Sequence, residues 1–219
     1  MRDKIMGQLQ VRIIPVTPFQ QNCALIWDAA TMQGGIVDPG GDLPEINAAI
    51  LAAGVTIEHI FITHGHLDHA GGAAELARSL EVPIIGPDQR DAPLIAEMPE
   101  QARRFGAAAE AFTPDRWLSE GDAVSIGGHE FHVLHCPGHT PGHVVYINHA
   151  AKFMVLGDVL FRNSIGRTDF AYGDHAALIN AITGKLLPLG DDYAFICGHG
   201  MGSTIGAERR SNPWLQNLT

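Results

Sequence analysis

A chain of 219 residues with 46% apolar and 17% charged residues can bury a sizeable core, which excludes a disordered chain or a coiled coil. Its formal net charge is −10, with Lys and Arg scattered and no basic run, so the electrostatic footprint of a nucleic-acid binder is absent. No stretch approaches the roughly 20 apolar residues of a membrane span, and MRDKIMGQLQ lacks the apolar run of roughly 7 to 15 residues of a signal peptide; a cytoplasmic protein with no membrane partner is expected.

The chain opens with β-rich runs over residues 11–16 (VRIIPV), 22–27 (NCALIW) and 34–37 (GGIV). Asp38-Pro39-Gly40-Gly41 then reads as a turn. Asp42, Pro44 and Glu45 predict a helix start, with an acidic cap, an early Pro and a Glu three residues on, and Gly54 predicts its stop. Residues 59–62 (HIFI) predict a strand that runs straight into Thr63-His64-Gly65-His66, and residues 71–80 a helix. A strand over 82–85 and a weaker helix around 99–105 repeat the cycle. A polar turn near Gly121-Asp122 precedes strands over 131–135, 144–147 and 153–156. Residues 174–187 predict a helix, 193–197 a strand, and 207–215 a closing helix interrupted by Pro213. Strands and helices mix throughout without a linker, repeat or low-complexity tract, which predicts a single α/β domain over residues 1–219. Cys23, Cys136 and Cys197 are odd in number and lack CxxC spacing, so reduced, packed thiols are expected.

The strongest chemical signal is His64-Gly65-His66-Leu67-Asp68-His69, four potential ligands within six residues immediately after an apolar strand. A loop at a strand end turns several side chains toward one point, whereas a regular strand sends neighbours to opposite faces. Three imidazoles and a carboxylate this close would repel and desolvate one another unless a cation organised them. A solvated His-rich loop is the bland alternative, better suited to one or two histidines than to the full string. Neutral imidazole with carboxylate suits Zn, and also Fe or Mn. Three further predicted strand ends place His or Asp beside glycine: Cys136-Pro137-Gly138-His139-Thr140-Pro141-Gly142-His143, Gly157-Asp158, and Cys197-Gly198-His199-Gly200. Each is weak alone, and in this order after HxHxDH they form a strong pattern.

In these motifs the chain resembles the metallo-β-lactamase superfamily. In THGHLDH, CPGHTPGH, GD and GHG it is similar to the short bacterial hydroxyacylglutathione hydrolases of the glyoxalase II branch, over nearly the whole chain. The resemblance implies an αβ/βα sandwich, with two mixed sheets face to face, helices outside and metals at one edge. It implies that His64, His66 and His139 hold one divalent cation, that Asp68, His69 and His199 hold a second, and that Asp158 bridges them. Arg167, within Gly166-Arg167-Thr168-Asp169-Phe170, falls where the branch carries a basic residue facing the thiol substrate. The implied reaction is hydrolysis of a small glutathione thioester, S-lactoylglutathione, with two cations, Zn first and Fe or Mn as alternatives. Two cations sharing a water lower its pKa toward about 7, so no protein nucleophile is required. Asp68 is then expected to serve both as ligand and as the group that orients this water.

The long members of the branch carry a C-terminal helical domain whose basic residues help bind glutathione, and this chain ends about twenty residues after His199, too soon for it. Met201 stands where the long forms place a Tyr, so Arg209 and Arg210 on the closing helix are candidate anion contacts, set against a solvated basic turn. His143 follows a ligand by four positions and is a candidate support for the ligands, while His59, His129, His132, His135, His149 and His175 match no ligand motif. Competing readings are a persulfide dioxygenase with one iron on two His and one Asp, which shares a GRTDF-like string, and a non-catalytic metal-binding module, usually marked by lost ligands. A β-lactamase of the fold generally lacks the aspartate at the position of Asp158, and a lactonase carries a different HxDH context.

Overall fold

The computed structural model describes residues 7–216; residues 1–6 and 217–219, which the predicted domain bounds also take in, lie outside the described residues. The first sheet has five strands in the order β1 (Leu9–Val16), β2 (Gln21–Asp28), β3 (Gln33–Val37), β4 (Thr56–Phe61) and β5 (Ile84–Ile85). β1, β2 and β3 pair antiparallel through short connections, and β3, β4 and β5 pair parallel. Parallel neighbours need crossovers, and these are supplied by helix α1 (Leu43–Ala53) and by the pair α2 (Leu67–Ala70) and α3 (Ala73–Leu80). Helices α4 (Ala92–Ala96) and α5 (Met98–Arg104) follow β5.

The second sheet is built from β6 (Ala123–Ile126), β7 (His129–His135), β8 (Val144–Asn148) and β9 (Phe153–Val155), with a small hairpin of β10 (Leu160–Phe161) and β11 (Ser164–Ile165) outside it. Helix α6 (His175–Ala181) crosses over to β12 (Ala194–Ile196), which pairs parallel with β9, and β13 (Ser203–Thr204) closes the edge before helix α7 (Ile205–Ser211).

Side-chain alternation assigns each strand face to a layer. Ala24 and Ile26 of β2 face Phe131, Val133, Val144 and Tyr146 of the other sheet. Cys23 and Leu25 of the same strand face outward onto Ile46 of α1 and Leu76 of α3. Val145 and Ile147 of β8 likewise face outward, onto Leu178 of α6 and Ile205 of α7. The result is the expected αβ/βα sandwich of two mixed sheets with helices on both outer faces. Among the described residues no helix is long and apolar enough to cross a membrane.

Several local expectations are revised. Asp42 sits at the N-terminus of α1 in left-handed conformation and makes no side-chain cap; its carboxylate reaches instead to the Thr17 N–H at 2.6 Å, fastening the β1–β2 turn. The predicted helix over 71–80 starts at Ala73, because the Gly72 N–H turns to Pro39 O. A separate short turn, α2, carries Asp68 and His69. The closing helix ends at Ser211, two residues before Pro213, which cannot donate to a helical ladder. The helix after Asp174 loosens at Ile182–Leu186 into a wider π-type turn.

Candidate metal centre

The site lies along the edge where strand ends of both sheets meet. β3 and β4 run parallel, so Val37 and Phe61 are neighbours and the segments that leave them, beginning at Asp38 and Ile62, emerge side by side. The Asp38 carboxylate accepts from the Thr63 N–H at 2.7 Å and from the Thr63 hydroxyl at 2.6 Å, which fixes the first residues of the His-rich loop. On the facing sheet, the Tyr146 hydroxyl donates to Ile62 O at 2.8 Å and the Val144 N–H to Thr63 O at 2.9 Å. The loop that bears His64 is thus pinned from both sheets.

Six of the seven expected ligands fall into two donor groups, each tight enough to hold a cation: His64, His66 and His139, then Asp68, His69 and His199. In the first, His64 Nε2 and His139 Nε2 stand 3.1 and 3.0 Å from His66 Nδ1. Nitrogens around one tetrahedral cation at 2.0–2.1 Å stand about 3.3 Å apart, close to what is found. In the second, His199 Nε2 lies 3.2 Å and His69 Nε2 3.9 Å from Asp68 Oδ2. Asp158, the seventh, lies between them: its Oδ1 is 3.3 Å from His69 Nε2, and its Oδ2 is 3.5 Å from His139 Nε2 and 3.6 Å from His199 Nε2.

The nitrogens that point away from the centre are engaged elsewhere. Thr63 spends its own proton on Asp38, so it accepts from His64 Nδ1–H at 3.0 Å. His69 Nδ1–H donates to Asp38 Oδ2 at 2.9 Å, His139 Nδ1–H to Arg167 O at 2.8 Å and His199 Nδ1–H to Phe19 O at 3.2 Å. His66 Nε2 pairs with the Tyr172 hydroxyl at 2.8 Å. Such outer hydrogen bonds set the tautomer and aim the remaining lone pair inward. Asp38 also forms a close group with His64 and His69, but it faces the outward nitrogen of His69 and bonds Thr63, so it supports the cluster from behind.

Whether these residues fit a metal is tested by the atoms they leave unsatisfied. His69 Nε2 and Asp158 Oδ1 are both buried without a hydrogen-bond partner, although only 3.3 Å apart. Native structures rarely bury such atoms without a third body to satisfy them. A Cβ at residue 198 would collide with Asp158 Oδ1 and His69, so the glycine there is required for their approach. The donor set therefore fits divalent cations.

Protonation follows the same lines. Burial, then repulsion from neighbouring histidines, pushes His64 well below the usual imidazole range and His66 down to about 3, which leaves both neutral with lone pairs to give. Burial lowers His139 too, more than Asp158 raises it. Burial acts against charge on Asp158, Asp68 and His69 alike. The attraction between them outweighs it, so that His69 is raised well above the usual imidazole range and, with its neighbours, keeps both carboxyls below their ordinary value. A cation would take the place of the proton that His69 Nε2 shares with them.

A cleft of about 530 Å³ opens onto this centre, walled by Phe19, Phe105, Phe170 and Tyr172, with Arg104 and Arg167 on its lining. The Arg167 guanidinium is forked onto Asp169 at 2.9 Å and lies 4.9 Å above the Phe170 ring. Arg209 is placed elsewhere. It is absent from the cleft lining, and its guanidinium is held by Asp191 at 2.8 Å and by Leu187 O at 2.5 Å. Sequence position alone could not reveal that pairing. His143 is buried, stacks on His64 at 4.6 Å and accepts the Asp158 N–H at 3.0 Å, so it supports both a ligand and the central carboxylate. Sequence reasoning missed Asp38, Thr63, Arg104 and Tyr172. Asp38 falls in the turn that the sequence predicts after residues 34–37, and its position at a strand end is the signal that marks it.

The fold and the paired His and Asp groups define a metal-dependent hydrolase of the αβ/βα class, and the chain belongs to the metallo-beta-lactamase superfamily, whose family model matches residues 16–199. Within it, the chain is 47% identical over 211 residues to hydroxyacylglutathione hydrolase GloC of Haemophilus influenzae, covering 95% of this chain and 99% of that one, in the glyoxalase II branch. The structure superposes on BLEG-1 B3 metallo-beta-lactamase with a TM-score of 0.87 at 32% identity, over 95% of this chain and all of that one. It superposes on TTHA1623 in a di-iron-bound form with a TM-score of 0.82 at 34% identity, over 93% of this chain and all of that one.

Proposed function

We propose that this protein hydrolyses hydroxyacylglutathione thioesters, S-lactoylglutathione among them, using two divalent cations held by the seven-residue cluster. The observation that carries the reading is Asp158, with one oxygen toward His69 and the other toward His139 and His199, between two donor groups. The 47% identity to a hydroxyacylglutathione hydrolase supports the thioester as substrate class.

His64, His66 and His139 would hold one cation, Asp68, His69 and His199 the other, and Asp158 would contact both. When bound, such a pair lowers the pKa of a shared water toward about 7 and polarises the thioester carbonyl. Asp68 pairs its Oδ2 with His199, which would leave its other oxygen to orient the attacking water. The aromatic walls of the cleft offer an apolar surface to the thioester, and Tyr172, bonded to His66, lines the same space. Zinc is the metal proposed first, from the mixed imidazole and carboxylate donors, with iron or manganese as alternatives. Three unpaired, buried thiols fit a cytoplasmic location.

The test is an assay of S-lactoylglutathione hydrolysis on purified protein, before chelation, after it, and after restoring each metal, with a chromogenic β-lactam and oxygen uptake on glutathione persulfide in parallel. Thioester turnover that is lost with the metal and returns with it is expected. Protein carrying two metal equivalents that turns over only the β-lactam or the persulfide would overturn the reading. Chelation should also lower the thermal midpoint on the order of 10 °C, since metal at about 100 times its Kd contributes about 2.7 kcal/mol per site and 1 kcal/mol moves Tm by about 2–4 °C at this size.

A further inference from the structure

The loops that carry the first donor group come from different sheets, and a single buried carboxylate joins them. Asp91 ends a tight turn over Gln89–Asp91 just before α4, and it is fully buried. One of its oxygens, Oδ2, accepts the Gly65 N–H at 2.9 Å and the Thr140 hydroxyl at 2.8 Å; the other, Oδ1, accepts the Gly142 N–H at 2.5 Å. Gly65 lies between His64 and His66, and Thr140 directly follows His139. The backbone reinforces the junction, with the Asp88 N–H donating to Gly142 O at 3.0 Å.

The two glycines make the approach possible. A Cβ at residue 65 would stand 2.9 Å from Leu94 and 3.2 Å from Asp91 O, and one at residue 142 would stand 2.5 Å from Asp91 N and 2.8 Å from its carboxyl carbon. Both ligand loops are therefore shaped to receive this residue.

We infer that Asp91 is a positioning residue that sets the spacing between the His64–His66 loop and the His139 loop, and so the metal affinity of the first donor group. Among the described residues it makes no hydrogen bond to the three imidazoles, and it acts through the Gly65 and Gly142 N–H groups and the Thr140 hydroxyl beside them. The inference rests on the reading that these histidines hold a cation. An asparagine there keeps one acceptor oxygen but turns an NH2 group toward an N–H or O–H donor, so at least one bond of the clamp must break.

The experiment is competitive chelator titration of wild type, Asp91→Asn and Thr140→Val, each loaded with two equivalents of zinc, alongside the absorption spectrum of the cobalt-substituted proteins. The expected result for Asp91→Asn is about a 10- to 100-fold loss of affinity at one site only, the size seen when supporting groups are removed from metal ligands. Its cobalt bands should shift, and the second equivalent should be retained. Thr140→Val, which removes one donor without touching the carboxylate, should lose affinity several-fold at that same site. It decides the question if Asp91→Asn fails to fold. Wild-type affinity and an unshifted cobalt spectrum in whichever variant folds would overturn the inference. Wild-type protein that binds no metal would overturn the underlying metal reading instead.

Discussion

Asp68 shows how one side chain is placed for two tasks. Its position in the short helix α2, directly before His69, brings its carboxylate within 3.2 Å of His199 from the far end of the chain. Removing it takes away both a donor to the second group and the proposed handle on the attacking water. Asp68→Ala should lower kcat for S-lactoylglutathione by about 10²- to 10⁴-fold, and metal analysis should find the second equivalent weakened or lost. Near-normal turnover in that variant would refute the role. The donors themselves were legible in the sequence because four of them are compressed into six residues, a density that ordinary loops do not carry. Their supports were not. The carboxylates of Asp38 and Asp91 bond partners 25 or more positions away, as Thr63 does in its bonds to Asp38, and nothing in local composition distinguishes the three from turn and loop residues.

At the scale of elements, strands with continuous apolar runs could be read, and the short pieces around the cleft could not. β10, β11 and β13 have two residues each, too few to show a period, and α4 has five. This matters for function because the α4–α5 segment supplies one wall of the cleft. Gln101 fastens α5 to the His-rich loop, accepting the Leu67 N–H at 3.2 Å and donating to Leu94 O at 2.8 Å. Glu97, which precedes α5 at its N-cap, and Arg104, its last residue, stand seven residues apart, two turns along one face, and both line the cleft. Among the described residues Arg104 is held by a 3.6 Å contact to Glu100 alone, which leaves its guanidinium available to a substrate carboxylate. Arg104→Ala should therefore raise KM for S-lactoylglutathione roughly fivefold with kcat nearly unchanged, the effect of an exposed ion pair near 1 kcal/mol. Arg209→Ala should leave KM unmoved, because that side chain is committed to Asp191 and Leu187. The reverse pattern in the two variants would favour the closing helix, where the sequence offers a candidate anion contact, over the cleft wall.

For the whole molecule, the two sheets must stay in register for ligands from both to meet. At the end of the sandwich where β2 stops, a buried carboxylate bridges the two sheets beside the packed core. Asp28 accepts the N–H groups of Ala30 at 3.0 Å and Thr31 at 2.8 Å, which forms the β2–β3 turn, and its second oxygen pairs with His129 at 3.0 Å on the first residue of β7. Burial pushes this carboxyl upward, but the Thr31, Ala30 and Gly7 donors outweigh it and bring the group down to about 2, below its ordinary 3.8. A carboxyl lowered by folding stabilises the folded state fully above its unfolded pKa, and that contribution is lost as the pH falls through the folded value. The gap in thermal midpoint between wild type and Asp28→Asn should accordingly be widest above about pH 4. It should close as the pH approaches 2, with chelator present throughout so that metal loss contributes equally to both proteins. A gap that stays constant across that range would show that the ionised carboxylate, with the Thr31, Ala30 and Gly7 donors around it, adds nothing to the folded state there.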